Sequence, residues 1–121
     1  MSVILLVDDS FTARAIVGRI IGDAHTLVPV ASGPEALAYL ETSVPDIILL
    51  GLLMPGMDGF TVLKVLKEQG NRVPVLVLSA DIQTSTRDRV LALGALGIIN
   101  KPPRPDSFRK ALEAVLTGTV P

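Results

Sequence analysis

The sequence has no cysteine and no tryptophan, and only one tyrosine and three phenylalanines among 121 residues. Without cysteine there is no disulfide scaffold and no thiolate metal site. An excess of one charge is also missing: 11 Lys+Arg stand against 12 Asp+Glu, a formal net charge of −1. Non-specific binding to nucleic acid needs a basic surface to neutralise phosphates, so direct nucleic-acid binding is not expected. Long hydrophobic runs are absent too. The run from Ile47 to Met54 closes at Pro55, and the longest, Val90 to Ile99 with two glycines in it, has ten residues; both are far short of the roughly 20 residues that span a bilayer. Met1-Ser2-Val3 has no basic region, and Asp8-Asp9 interrupt the apolar stretch behind it. No signal peptide or membrane span is expected, and the chain reads as cytoplasmic.

What is present is aliphatic: 49% of residues are hydrophobic but only 3% aromatic. Such a chain has ample surface to bury, which excludes disorder. Its length fits one domain over 1–121, with 117–121 a tail or the start of a linker. Aliphatic runs recur at Val3–Val7, Leu27–Val30, Ile47–Leu50, Val75–Leu78 and Gly97–Ile99. Three are continuous rather than alternating, which fits strands covered on both faces. Between them lie helical patterns. Ala13, Ile16, Val17, Ile20 and Ile21 make one apolar stripe, and Phe108, Ala111, Leu112, Val115 and Leu116 repeat its spacing. Ser32-Gly33-Pro34-Glu35 reads as a capping box opening a helix through Leu40. Asp58 caps a predicted helix over Gly59–Glu68, which Gly70 ends. A weaker helix runs from about Thr84 to Leu93 and stops at Gly94. Strand and helix thus alternate five times, which implies an α/β fold with a parallel sheet and helices on both faces.

In such sheets ligands bind beyond the carboxyl ends of the strands. Those positions hold Asp8 and Asp9 after the first strand, Gly51 after the third, Ser79 and Ala80 after the fourth, and Asn100-Lys101-Pro102 after the fifth. Singly, an Asp-Asp pair is usually a turn or helix cap, and a lone Ser or Lys-Pro a loop residue. Together they place two carboxylates, a hydroxyl and an ammonium on one edge. Paired carboxylates suit a hard cation such as Mg²⁺, and Ser79 and Lys101 could contact an anion. Two enzyme- or cofactor-type readings fit less well. A haloacid-dehalogenase site needs Asp-x-Asp where this chain has Asp8-Asp9-Ser10, and Ser10-Phe11-Thr12-Ala13-Arg14 lacks the glycine of a flavin phosphate loop.

These residues resemble the response-regulator receiver domain, the CheY-like family of two-component and phosphorelay signalling. The likeness runs over essentially the whole chain. It is carried by Leu5-Leu6-Val7-Asp8-Asp9, Pro45-Asp46-Ile47-Ile48-Leu49-Leu50, Met54-Pro55-Gly56-Met57-Asp58-Gly59, Pro74-Val75-Leu76-Val77-Leu78-Ser79-Ala80, Gly94-Ala95 and Lys101-Pro102. The resemblance implies a flavodoxin-like, doubly wound sheet of five parallel strands in order 2-1-3-4-5. It implies a signalling module rather than an enzyme, in which an Asp ending the third strand takes a phosphoryl group from a kinase histidine. By the same resemblance Asp9 is the direct Mg²⁺ ligand, Asp8 acts through water, Leu53 offers its backbone carbonyl, and Ser79 and Lys101 contact the phosphoryl oxygens. The Lys101-Pro102 peptide is expected to be cis.

Gly51 departs from that pattern. It stands at the position of the phospho-accepting Asp, directly before Leu-Leu-Met-Pro. Glycine offers no nucleophile, and its presence takes the acidic cluster plus Lys101 from about −2 to about −1, so Mg²⁺ binding is expected to weaken. Ile98 stands where the family has its aromatic switch residue, and Pro103 where an aromatic often follows Lys-Pro. The chain therefore reads as a degenerate receiver, a pseudo-receiver that docks a protein without phosphate. The alternatives are an ordinary receiver carrying a Gly51 substitution, or one phosphorylated on Ser10, Thr12, Ser79, Asp8 or Asp9. Without the acceptor, Lys101 is expected to pair with Asp8 or Asp9. The resemblance places partner docking (a histidine kinase, an output domain, another signalling protein or a second copy) on the face around 83–117. That face carries Arg87, Arg89, Arg104, Arg109 and Lys110, with Asp88 and Glu113 among them. A basic face selects an acidic partner; an ordinary solvated surface has the same composition. His25 is read as a loop residue.

Overall fold

The computed structural model describes residues 2–118. Strands and helices alternate as β1 (Val3–Val7), α1 (Phe11–Ile21), β2 (Thr26–Val30), α2 (Gly33–Thr42), β3 (Ile47–Gly51), α3 (Gly59–Glu68), β4 (Val75–Ser79), α4 (Thr84–Ala92), β5 (Gly97–Asn100) and α5 (Pro105–Leu116). The five strands are parallel, in order β2-β1-β3-β4-β5. This is the expected doubly wound sheet. Thr117 caps α5, and the rest of the expected tail beyond Gly118 lies outside the described residues.

Local chemistry sets the helix starts. Ser10 Oγ accepts the Ala13 N–H at 3.1 Å and opens α1. Ser32 Oγ accepts the Glu35 N–H at 3.3 Å, while the Glu35 carboxylate reaches back to the Ala31 N–H at 3.1 Å. Asp58 Oδ1 accepts the Thr61 N–H at 2.9 Å and opens α3. Gly70, at φ +68, turns the chain out of that helix, a conformation that costs an L side chain and suits glycine.

Successive strand residues point to opposite faces, so the sheet builds two cores. Leu5, Val7, Ile48, Leu50, Val75 and Val77 pack with Ala36, Leu63, Leu66 and Val90 on one face. Ile4, Leu6, Ile47, Leu49, Leu76 and Leu78 pack with Val17, Phe108 and Leu112 on the other. The inner strands β3 and β4 are buried along their whole length. β2 lies at the rim of the sheet and carries Pro29, in register with Leu6. His25 lies in the loop before β2, as expected, and is tied down there. Its Nδ1 accepts the Ser2 N–H at 3.2 Å, so Nε2 carries the proton and donates to Glu113 Oε1 at 3.0 Å.

Candidate functional site at the carboxyl edge of the sheet

The register of β1, β3, β4 and β5 brings Asp8, Gly51, Ser79 and Lys101 to one edge. Asp8 is completely buried and Asp9 is exposed. Asp8 Oδ1 accepts the Ser10 N–H at 3.0 Å. Its Oδ2 lies 2.5 Å from the Lys101 ammonium. That oxygen accepts no well-directed hydrogen bond, so the contact is a charge pair whose approach is bent. A second cation touches the same residue: the Arg14 guanidinium donates to the Asp8 carbonyl oxygen at 2.6 Å. The sequence predicts that Lys101 pairs with Asp8 or Asp9, and the partner is Asp8. Arg14 was not foreseen, because only the fold turns it back onto β1.

Gly51 is buried at the end of β3. A Cβ built there would sit 3.1 Å from Asp8 Oδ2 and 3.2 Å from Asp8 Cγ. A Cβ at Gly51 would thus be tight against the Asp8 carboxylate, which would have to give by a few tenths of an ångström. The loop beyond Gly51 folds back, and the Gly59 N–H donates to the Leu52 carbonyl at 2.8 Å. A Cβ at Gly59 would lie 2.4 Å from the Gly51 carbonyl oxygen, so this close approach admits glycine alone. Sequence reading assigned Gly59 no such role.

Ser79 ends β4 and is 5% exposed. Its Oγ accepts the Asp81 N–H at 3.0 Å, and its carbonyl accepts the Lys101 N–H at 2.9 Å. The Lys101-Pro102 peptide is cis, as expected. Asp81 in turn accepts the Gln83 N–H at 3.0 Å and the Thr86 hydroxyl at 2.7 Å. The Gln83 N–H first, then the Thr86 hydroxyl, hold its carboxyl below the ordinary value of 3.8. Leu53 is exposed on the rim, and Ile98 is half-buried against the core shared with α3.

These residues fit Mg²⁺ poorly, because the buried Asp8 carboxylate faces Lys101 and Asp9 alone keeps an exposed carboxylate at this edge. That ion needs several free oxygen ligands in near-octahedral array. Both Asp8 carboxylate oxygens are engaged and Gly51 supplies none. Among the described residues no three His, Asp or Glu side chains cluster as a metal site. Two of the five cations expected on the 83–117 face are also committed elsewhere. The Arg89 guanidinium lies 3.8 Å from the centroid of the Phe60 ring on α3. Arg109 donates to the Ile20 carbonyl of α1 at 3.4 Å. Arg87, Arg104 and Lys110 remain exposed.

A sequence model of the family described as "response regulator receiver domain" matches residues 4–113. The chain belongs to the response regulator receiver domain family. This receiver domain is 40% identical over 104 residues to protein-glutamate methylesterase/protein-glutamine glutaminase 1 of Cereibacter sphaeroides, covering 82% of this chain and 28% of that protein. It is 34% identical over 113 residues to transcriptional regulatory protein CiaR of Streptococcus pneumoniae, covering 93% of this chain and 50% of that one. Its backbone is similar to that of chemotaxis protein CheY4 of Vibrio cholerae, with TM-score 0.88, 32% identity, and coverage of 95% and 98% of the two chains. The chain spans half or less of the length of these two curated relatives. No helix among the described residues is long and apolar enough to cross a membrane.

Proposed function

We propose that this receiver domain, taken as one unit over 1–121, is a pseudo-receiver that signals by binding a protein without being phosphorylated. The observation that carries the reading is Gly51, buried at the end of β3 with no side chain to attack phosphorus. Its surroundings agree. The Lys101 ammonium is spent on Asp8. The Ser79 hydroxyl holds the turn into α4 through the Asp81 N–H. Ile98 has no aromatic ring to swing. With no nucleophile and no fitted metal, the domain carries no catalytic residue. Its role is recognition in the cytoplasm, and the remaining chemistry belongs to partners or to domains joined to it.

The docking face is the one around 83–117, where Arg87, Arg104 and Lys110 are exposed, as are Leu91 and Leu96 at 39% and 43%. Its occupant is a histidine kinase, an output domain, another signalling protein, or a second copy. Arg87, Arg104 and Lys110 favour an acidic surface on that partner.

The test is intact mass after incubation with Mg²⁺ and a small-molecule phosphoryl donor, beside Gly51→Asp. The expected result is a phosphoryl mass on the variant alone. A phosphoryl mass on the native chain overturns the reading and sends peptide mapping to Ser10, Thr12, Ser79, Asp8 and Asp9.

A further inference from the structure

The misfit between this pocket and Mg²⁺ has a physical origin. Asp8 is completely buried, and a carboxylate there is costly unless a positive charge accompanies it. That charge comes from inside the chain. The Lys101 ammonium lies 2.5 Å from Oδ2 with its side chain three-quarters covered, at 25% exposure. Arg14 adds a second positive charge against the same residue's carbonyl oxygen, at 2.6 Å. An added divalent ion would have to displace an ammonium tethered to the fold and sit beside a guanidinium.

Gly51 makes this arrangement fit. Lys101 follows β5 and Asp8 follows β1, and the ends of β3 and β4 stand between them in the sheet. The pair closes across those ends, with the Asp8 carboxylate next to the position a Cβ at Gly51 would take. Any side chain at 51 would begin 3.1 Å from Asp8 Oδ2, the oxygen that meets Lys101.

We infer that Lys101 is the resident cation of this pocket, that Gly51 provides the room for it, and that the domain therefore keeps its site closed without a divalent ion. Gly51 and Arg14 act as positioning residues for this clasp between β1 and β5. The inference rests on the reading of Gly51 above. It is measured by cation binding rather than phosphoryl transfer, so either can fail while the other stands.

The experiment uses the native chain, Lys101→Gln and Gly51→Ala. Each is melted in EDTA and in millimolar Mg²⁺, and each is titrated with Mn²⁺ while amide signals are followed by NMR. The native protein is expected to melt at the same temperature in both buffers and to keep its Asp9, Ser10 and Leu53 amide signals in Mn²⁺. Lys101→Gln is expected to melt lower in EDTA, to recover part of that loss in Mg²⁺, and to bind Mn²⁺ roughly tenfold tighter or more. Gly51→Ala pushes on Asp8 without removing a charge, and should give Mn²⁺ broadening between the two. Native binding as tight as that of Lys101→Gln overturns the inference, and so does a Lys101→Gln protein indifferent to both metals. If Lys101→Gln does not fold, the other two proteins decide: a silent native protein with a broadened Gly51→Ala supports the clasp, and equal behaviour of the two overturns it.

Discussion

Asp8 carries the largest electrostatic demand of any single residue here, because its carboxylate is fully buried. Asp8→Asn keeps the shape but leaves the Lys101 ammonium without its counter-charge. Lys101 is 25% exposed and can turn part-way to water, so the loss should be about 1–3 kcal/mol rather than the full cost of a buried orphan charge; urea unfolding measures it. Gly59 is constrained by shape instead. Gly59→Ala places a methyl 2.4 Å from the Gly51 carbonyl oxygen, and the backbone must yield. A loss of about 1–3 kcal/mol is expected from the same measurement. The two residues also differ in how legible they are. Asp8, Gly51, Ser79 and Lys101 could be placed from sequence because each follows an aliphatic run, and the end of a strand is a position in space. Gly59 and Arg14 could not, because their contacts with Gly51 and the Asp8 carbonyl depend on how each helix folds back on the strand just before it.

Among the elements α4 stands apart, since Val90 is its sole buried residue and Gln83 makes no side-chain cap. Its start is held by Asp81, which lies outside the helix and bonds the Gln83 N–H and the Thr86 hydroxyl. Its body is held from α3, through Arg89 on the Phe60 ring and through Lys67 Nζ on the Ala92 carbonyl at 3.0 Å. Arg89→Ala should cost about 0.5–1 kcal/mol and speed amide exchange within α4. Asp81 adds a pH dependence. Its folded value lies below the ordinary 3.8, so its stabilisation is complete above that value and fades as pH falls through the lower folded one. Amide protection factors at the start of α4, corrected for the intrinsic exchange rate at each pH, should therefore fall in acid for the native chain, and those of Asp81→Ala should be low at every pH. The contrast with α3 explains what a sequence reveals. Asp58 and Gly70 mark the α3 ends by their own chemistry, and its bounds were read to the residue. The α4 start also falls at Thr84 as expected, although a carboxylate outside the helix holds it, and its stop falls at Ala92 rather than Leu93. Five cations read as one basic face for a similar reason. The directions of Arg89 and Arg109 are set by Phe60 and the Ile20 carbonyl, which spacing does not report.

At the scale of the whole molecule the sheet separates two cores that share no side chain. Phe108→Ala empties one and Leu63→Ala the other. Each should cost about 2–5 kcal/mol, and the double variant should lose their sum to within about 0.5 kcal/mol, since the sites do not touch. The alternating fold was legible because fully covered strands are written as unbroken aliphatic runs. The outer strand β2 was legible more faintly, for its residues are exposed or half-covered. That same strand has one more property. The Thr26 N–H bonds Ser2 and the Val30 carbonyl receives the Asp8 N–H, so Thr26, Val28 and Val30 turn their polar groups toward β1. Pro29 then presents its missing N–H to the open rim. A stranger's strand laid along β2 would find Leu27 as its one interior donor there, and no continuous ladder could form. This single ring blunts the β2 edge of a strongly aliphatic sheet against pairing with a neighbour. Pro29→Val should leave the monomer's fold intact and raise fibre formation on prolonged incubation.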